Sequence, residues 1–312
     1  MSYRLALVLV ALALGCASAA HTCRVGAECA SGICTTAGVC AESHDAGPVD
    51  AFASDGAFTN DANLDLDAGP IADAGVRVCS ANHDGVITRD EVPLRAGLHA
   101  TFRVAQNTMV STAGDSSTGT RTWDLSGALT GDANDRVDLI DPIGTWWSAT
   151  FPTATYAAQL SASSTNLGVF LVTDTALSLL GVVSPSDGAT RTRLIYATPV
   201  TVLSFPIHPT DTWTTTSMVT GQADGLAVFY TETYTSVVDA SGTLITPLLS
   251  AGVPVLRVRT DMHRTSGVVT IASLRTYGFV AECFGTAATI TSQANPTAAE
   301  FTNAAEVRRL AP

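Results

Sequence analysis

Thr212-Trp213-Thr214-Thr215-Thr216-Ser217-Met218-Val219-Thr220 leads into Gln222-Ala223-Asp224-Gly225 and returns as the long run Leu226 to Asp239. Thr, Val and aromatic residues favour a pleated chain, and Asp-Gly favours a tight reversal, so this stretch predicts a hairpin of two long strands. The same grammar recurs from Pro254 to Met262, returning through Arg264-Thr265-Ser266-Gly267 into Val268 to Glu282. Leu98 to Val104 and Val255 to Thr260 repeat the alternation of apolar and polar residues. Helical periodicity is scarce across 98–312. The expected class is therefore all-β, a large curved antiparallel sheet or open barrel, with a sandwich compatible with the same strands. One short helix is expected near the C-terminus, where Asn295-Pro296 resembles a helix start.

Composition narrows the function. The 312 residues carry 28 Asp and Glu against 16 positive side chains, every one of them Arg, for a net charge of -12. A nucleic-acid binder needs clustered cations to neutralise phosphates, and no such cluster is present, so no nucleic-acid partner is expected. No apolar run reaches the roughly 18 residues of a membrane-spanning helix.

The N-terminus reads as an export signal over 1–15. Arg4 supplies its positive charge, and Leu5 to Leu14 is an apolar stretch of the length a signal peptide uses. It ends in Ala13-Leu14-Gly15-Cys16, which resembles a bacterial lipobox, although the family prefers Leu where Ala13 stands. The resemblance implies lipidation of Cys16 and a membrane partner through that anchor, at the outer membrane or cell surface. Cleavage after Ala17-Ser18-Ala19 is the alternative, giving a secreted or periplasmic protein.

Export places the remaining cysteines in an oxidising compartment. Cys23, Cys29, Cys34 and Cys40 lie within a segment too short to bury a core, so 16–40 is expected to be a disulfide-stapled module. Zinc is the alternative, weakened by the lack of Cys-x2-Cys pairs. Cys79 and Cys283 are expected to pair across the β domain. Residues 41–78 repeat Asp-Ala-Gly-Pro elements and carry eight acidic residues against Arg77, which predicts a disordered stalk.

One motif carries chemistry. Within 79–97, Ser80 to Glu91 fits a 12-residue EF-hand-like calcium loop, with Ser80, Asn82, Asp84, Thr88 and Glu91 offering side chains and Val86 its carbonyl. Gly85 would permit the sharp turn, and Ile87 would anchor the loop to the core. Ser80 lacks the usual charge at the first position, so the expected affinity for calcium is weak. The alternative is a metal-free Asx turn.

Taken together, the lipobox, Cys29-x-Ser-Gly-Ile-Cys34, the acidic stalk and Asn82-His-Asp-Gly-Val-Ile-Thr-Arg89 resemble uncharacterised lipoproteins of GC-rich Gram-negative soil bacteria. Phe205-Pro206-x4-Asp211-x-Trp213, Val238-Asp239-x2-Gly242-Thr243-Leu244 and Val255-Leu256-Arg257-Val258 resemble a β domain of secreted bacterial surface proteins. The resemblance implies location and fold, and no reaction comes with it.

Few residues are spaced as an active site requires. The six histidines show no metal-ligand spacing, and no Ser stands in a Gly-x-Ser-x-Gly elbow. Gly114-Asp115-Ser116 reads as a loop. Trp146-Trp147 would alternate faces on a strand, or form a stacking platform. His208 with Asp211 and His263 with Asp261 read as acid/base pairs or as surface partners. The expected protein is therefore non-enzymatic, a surface lipoprotein whose β domain binds an unknown surface partner or serves a structural role. A carrier of a lipid or other small apolar ligand in the curved sheet is the first alternative, and an extracellular hydrolase the second.

Overall fold

A computed structural model of the chain describes residues 79–312. The expected signal peptide, lipidation at Cys16, disulfide module at Cys23, Cys29, Cys34 and Cys40, and stalk all fall outside the described residues.

Thirteen strands form one sheet: β1 (His99–Met109), β2 (Thr122–Asp124), β3 (Ala133–Asp138), β4 (Tyr156–Ser161), β5 (Ser164–Val172), β6 (Ala176–Val183), β7 (Arg193–Ser204), β8 (Thr212–Ala223), β9 (Leu226–Ile245), β10 (Val253–Ser266), β11 (Val269–Ala281), β12 (Gly285–Ser292) and β13 (Asn303–Ala311). Twelve of them follow the order β3-β1-β13-β12-β11-β10-β9-β8-β7-β6-β5-β4, antiparallel throughout, and curl into a nearly closed barrel. The expected all-β class and the open-barrel form are observed. β2 lies apart, parallel to β9.

Both hairpins of the opening stretch form with shorter turns than the sequence indicates; β8, β9 and β10 are longer than expected, and β11 is one residue shorter at each end. β8 and β9 are joined by Asp224-Gly225, both at positive φ (50° and 79°), the geometry that matches the twist of two paired strands. Gly267 at φ 58° turns β10 into β11.

The barrel closes at a seam between β3 and β4. One pair of backbone hydrogen bonds, between Ile140 and Ala157, joins the two edges at the end where β3 finishes and β4 starts. Side chains bridge the rest from inside. Arg308 on β13 reaches Asp135 on β3 (3.1 Å), and Glu306 accepts from the Ser161 hydroxyl (2.7 Å) and the Ala162 amide (2.9 Å) beyond β4. These bonds occupy an edge that would otherwise be open to pairing with another chain.

Packing occurs on both faces of the wall. Outside β9 to β13, Trp123 of β2 packs edge-on against Phe279, together with Leu244, Val255, Tyr277 and Ile290. Gly242 makes the approach of β2 feasible, because a Cβ there would meet the Arg121 carbonyl at 2.2 Å. Arg257, 2% exposed, ties this layer down through Asp239 (2.8 Å), Glu300 (2.8 Å) and the Thr112 carbonyl (2.6 Å), with its guanidinium over the Tyr277 ring. Outside β4 to β6, the segment around Trp147 and Phe151 covers Ala157, Val169 and Val183.

Two expectations are corrected. Asn295 starts no helix. It sits at φ 55° and pins the β12 to β13 connection to β11, accepting from the Ser273 amide and hydroxyl through its side chain. Trp146 and Trp147 lie on no strand and form no open platform. Trp147 is buried, and Trp146 is half-buried, bonded to the Ser184 carbonyl and covered by Arg191.

Candidate functional site in the barrel lumen

Inward positions follow the period of two. On β9 they are Tyr230, Glu232, Tyr234, Ser236 and Val238. Register carries the alternation onward, pairing Glu232 with Arg264, Tyr234 with Met262 and Val238 with Val258 on β10, then Val258 with Gly278 on β11. Large apolar side chains fill one end of the lumen. Val238, Leu256, Val258 and Val280 pack there with Leu177, Leu203, Phe205 and Ile207, and Ile87 and Val92 of the N-terminal segment join them. Ile87 exchanges backbone hydrogen bonds with Ile207 (3.0 and 2.8 Å), so the predicted loop is anchored through this residue.

Beyond that packed end the inward side chains of β10 to β12 become small. Thr260, Thr276, Gly278, Thr286 and Thr289 face Phe170, Leu179 and Val200 across a cavity of about 730 Å³, with Met262 beside Thr260 on β10. The volume is within the range of sites that hold drug-sized ligands. Gly278 helps create it. A Cβ there would have nothing nearer than 3.8 Å, so a larger residue would grow into the cavity.

One polar cluster interrupts the apolar wall. The Glu232 carboxylate, fully buried, accepts from Tyr234 (2.7 Å), Tyr196 (2.8 Å) and Arg264 (2.8 Å from Nε, 2.7 Å from Nη2). Burial raises the Tyr196 and Tyr234 phenols, and the neighbouring carboxylate raises them further, so both remain protonated donors. Arg264 stacks on the Tyr230 ring at 4.3 Å. With its charge countered by Arg264 and two phenol donors, the carboxylate demands little of a ligand. Hydroxyls of Thr260, Thr276, Thr286 and Thr289 are the other polar groups on the small-residue wall, and Ser161, Ser164, Asn166 and Thr201 line the cavity elsewhere.

The predicted loop divides into two local structures. Asn82, Asp84 and Val86 share one turn: Asn82 Oδ1 accepts the Asp84 amide (2.9 Å), and Asp84 Oδ1 accepts the Val86 amide (2.8 Å). Gly85 takes the expected positive φ of 84°. Thr88 and Glu91 form the second, where Glu91 Oε2 accepts both the amide and the hydroxyl of Thr88 at 2.8 Å across a 3-10 turn, Arg89–Glu91. Ser80 is exposed at the start of the segment. Among the described residues no group of three or more His, Cys, Asp or Glu side chains is arranged to hold a metal. The expected Cys79 to Cys283 disulfide is present, and the Cys283 amide donates to the Glu91 carbonyl (2.7 Å).

The acid/base candidates separate. His208 bonds Asp211 (3.2 Å) at the surface, while Asp261 binds Arg275 (2.6 Å) and Arg259 (3.3 Å) and leaves His263 exposed on the outer wall. Gly114-Asp115-Ser116 is a loop in which Asp115 accepts from Ser117, and the backbone amide of Ser117 holds its carboxyl below the usual range.

Sequence reasoning missed Tyr196, Glu232, Tyr234 and Arg264. The signal was there in Tyr230-Thr231-Glu232-Thr233-Tyr234, where strict alternation puts a carboxylate on the same face as two aromatics. A charge on a buried face requires a partner, and the partner came from the next hairpin. Compared with family models, curated proteins and solved structures, the chain matches none.

Proposed function

We propose that the protein is a non-enzymatic, exported carrier that holds one small apolar molecule in its barrel lumen, anchored at the outer membrane or cell surface through Cys16. The supporting observation is the cavity of about 730 Å³, walled by Phe170, Leu179, Val200, Val258 and Met262 and kept open by Gly278. Its only carboxylate is already met by four donors, which favours an uncharged ligand over an anion or cation. The test is a titration of the purified protein with a neutral apolar fluorophore such as N-phenyl-1-naphthylamine. Saturable one-to-one binding that is displaced by uncharged lipids supports the carrier. Linear, unsaturable partitioning overturns it.

Weak calcium binding at Ser80 to Glu91 is a second, subsidiary proposal. The turn at Gly85 and the burial of Ile87 favour it. Coordination would require Glu91 to exchange its bonds to Thr88 for the cation.

A further inference from the structure

The register that opens the lumen also determines which turns surround its mouth. β9 and β10 run from opposite ends, so the β8 to β9 turn and the β10 to β11 turn lie at the same end of the barrel. Thr231 pairs with Thr265, two residues before Gly267, and the β8 to β9 hairpin continues five residues further to its turn at Asp224-Gly225. Arg264 and Leu274 line the lumen immediately below the second turn, and Leu194, paired with Gly221, lines it beside the first.

Beside these two turns the strand ends carry exposed apolar residues, where a solvent-facing hairpin tip is ordinarily polar. Val268 is fully exposed, Leu226 is 73% exposed, Phe229 67%, Val269 59% and Ile271 52%. Apart from Asp224, neither Asp224 to Thr231 nor Gly267 to Ser273 contains a charge. Exposed large apolar residues scattered singly are ordinary, whereas five on the first residues of β9 and around the β10 to β11 turn, at one end of the barrel, form a surface that water does not favour. Just behind them Arg264 stacks on Tyr230. An aromatic ring with a cation set behind apolar tips is the arrangement that seats side chains at the boundary between headgroups and acyl chains.

We infer that these two hairpin tips dock on a lipid bilayer and open the lumen directly to it. The inference rests on the carrier reading and names the source of the ligand. A molecule apolar enough to prefer the lumen has little concentration in water and must enter from a hydrophobic phase. Within the two tips the one charge is Asp224, which gains nothing from anionic headgroups, so the surface that fits is zwitterionic.

Flotation with phosphatidylcholine vesicles tests this, using the mature full chain carrying Cys16→Ser so that no acyl anchor contributes. The chain should float with the vesicles. Phe229→Ser combined with Val268→Ser and Val269→Ser should lower the bound fraction at least about tenfold, since affinity scales with the apolar area inserted. Val268→Leu should raise it. Fluorophore binding in vesicle-free solution should be the same in all variants, because none of these residues lines the cavity. A wild type that stays unbound, equal flotation of the triple variant, or a concentration-dependent dimer abolished by the triple substitution would each overturn membrane docking. Loss of fluorophore binding in the wild type would instead overturn the carrier reading, so the two failures are distinguishable.

Discussion

Arg264 and Glu232 face each other inside the barrel, 2.7 Å apart, with the carboxylate side chain 1% exposed and the guanidinium side chain 35% exposed. The asymmetry has a consequence for stability. Arg264→Met strands a buried carboxylate with two phenol donors, and should cost about 2 to 4 kcal/mol. Glu232→Gln leaves a cation that can still reach water, and should cost about 1 kcal/mol. The double substitution should cost less than Arg264→Met alone. Chemical denaturation of the three variants checks the order, and equal costs for both single variants would contradict it.

That pair also shows what was legible in the sequence. The strand alternation, the Asp-Gly turn and the cysteine pairing are local or parity arguments, and they led to the all-β class, the two hairpins and the Cys79 to Cys283 bridge. The lumen is a product of register. Whether Gly278 meets Val258 or its neighbour decides if the small residues of β10 to β12 coincide into a cavity, and a one-residue slip would turn them outward. Trp146-Trp147 misled for a related reason. Adjacent aromatics look like a strand, but Pro142 and Gly144 precede them, and the segment folds as a cover over β4 to β6.

The outer layer should be acid-sensitive in a defined window. Burial of Glu300 is the largest single influence and by itself would raise its pKa, but the hydrogen bonds from Arg257 and Thr112 and the charges of Arg257 and Arg121 together outweigh it and hold the carboxyl below the ordinary glutamate range. A depressed folded-state pKa contributes stability above the unfolded value of about 4.3, and that contribution is lost as pH falls through the lower folded value. The melting-temperature advantage of the wild type over Glu300→Gln should be constant near neutrality and shrink below about pH 4. A gap that widens on acidification would contradict this linkage.

Reducing the Cys79 to Cys283 bridge releases the segment that plugs one end of the barrel. In the chain-entropy treatment a loop of 204 residues corresponds to about 5 kcal/mol, an upper figure. Cys79→Ala with Cys283→Ala should therefore lower the denaturation midpoint and speed hydrogen exchange at Ile87 and Ile207, whose mutual hydrogen bonds close that end. Unchanged exchange at both amides would show that the plug holds without the bridge.

Calcium at about 2 mM, acting on a site with a dissociation constant near 0.5 mM, would add roughly 1 kcal/mol, or about 2 to 4 °C in melting temperature. Glu91→Gln keeps an oxygen for the Thr88 amide but removes the carboxylate ligand, so the rise should disappear while the calcium-free melting temperature changes little. An equal rise in Glu91→Gln, or with magnesium, would identify general ion screening of an acidic chain and leave the segment a metal-free turn.

Fluorophore titration of Gly278→Leu against wild type tests the lumen most directly. A Cβ on this glycine would make only ordinary contacts, with the Thr286 methyl at 3.8 Å and the Val258 carbonyl at 3.9 Å, and there is no positive φ to protect, so the substitution fills the cavity without a backbone clash. The expected result is an unchanged fold by circular dichroism, at least an about tenfold loss of affinity for the neutral apolar probe, and no such loss for Thr216→Leu on the outer wall. Wild-type affinity in Gly278→Leu, with the fold intact, would contradict a ligand site inside the barrel.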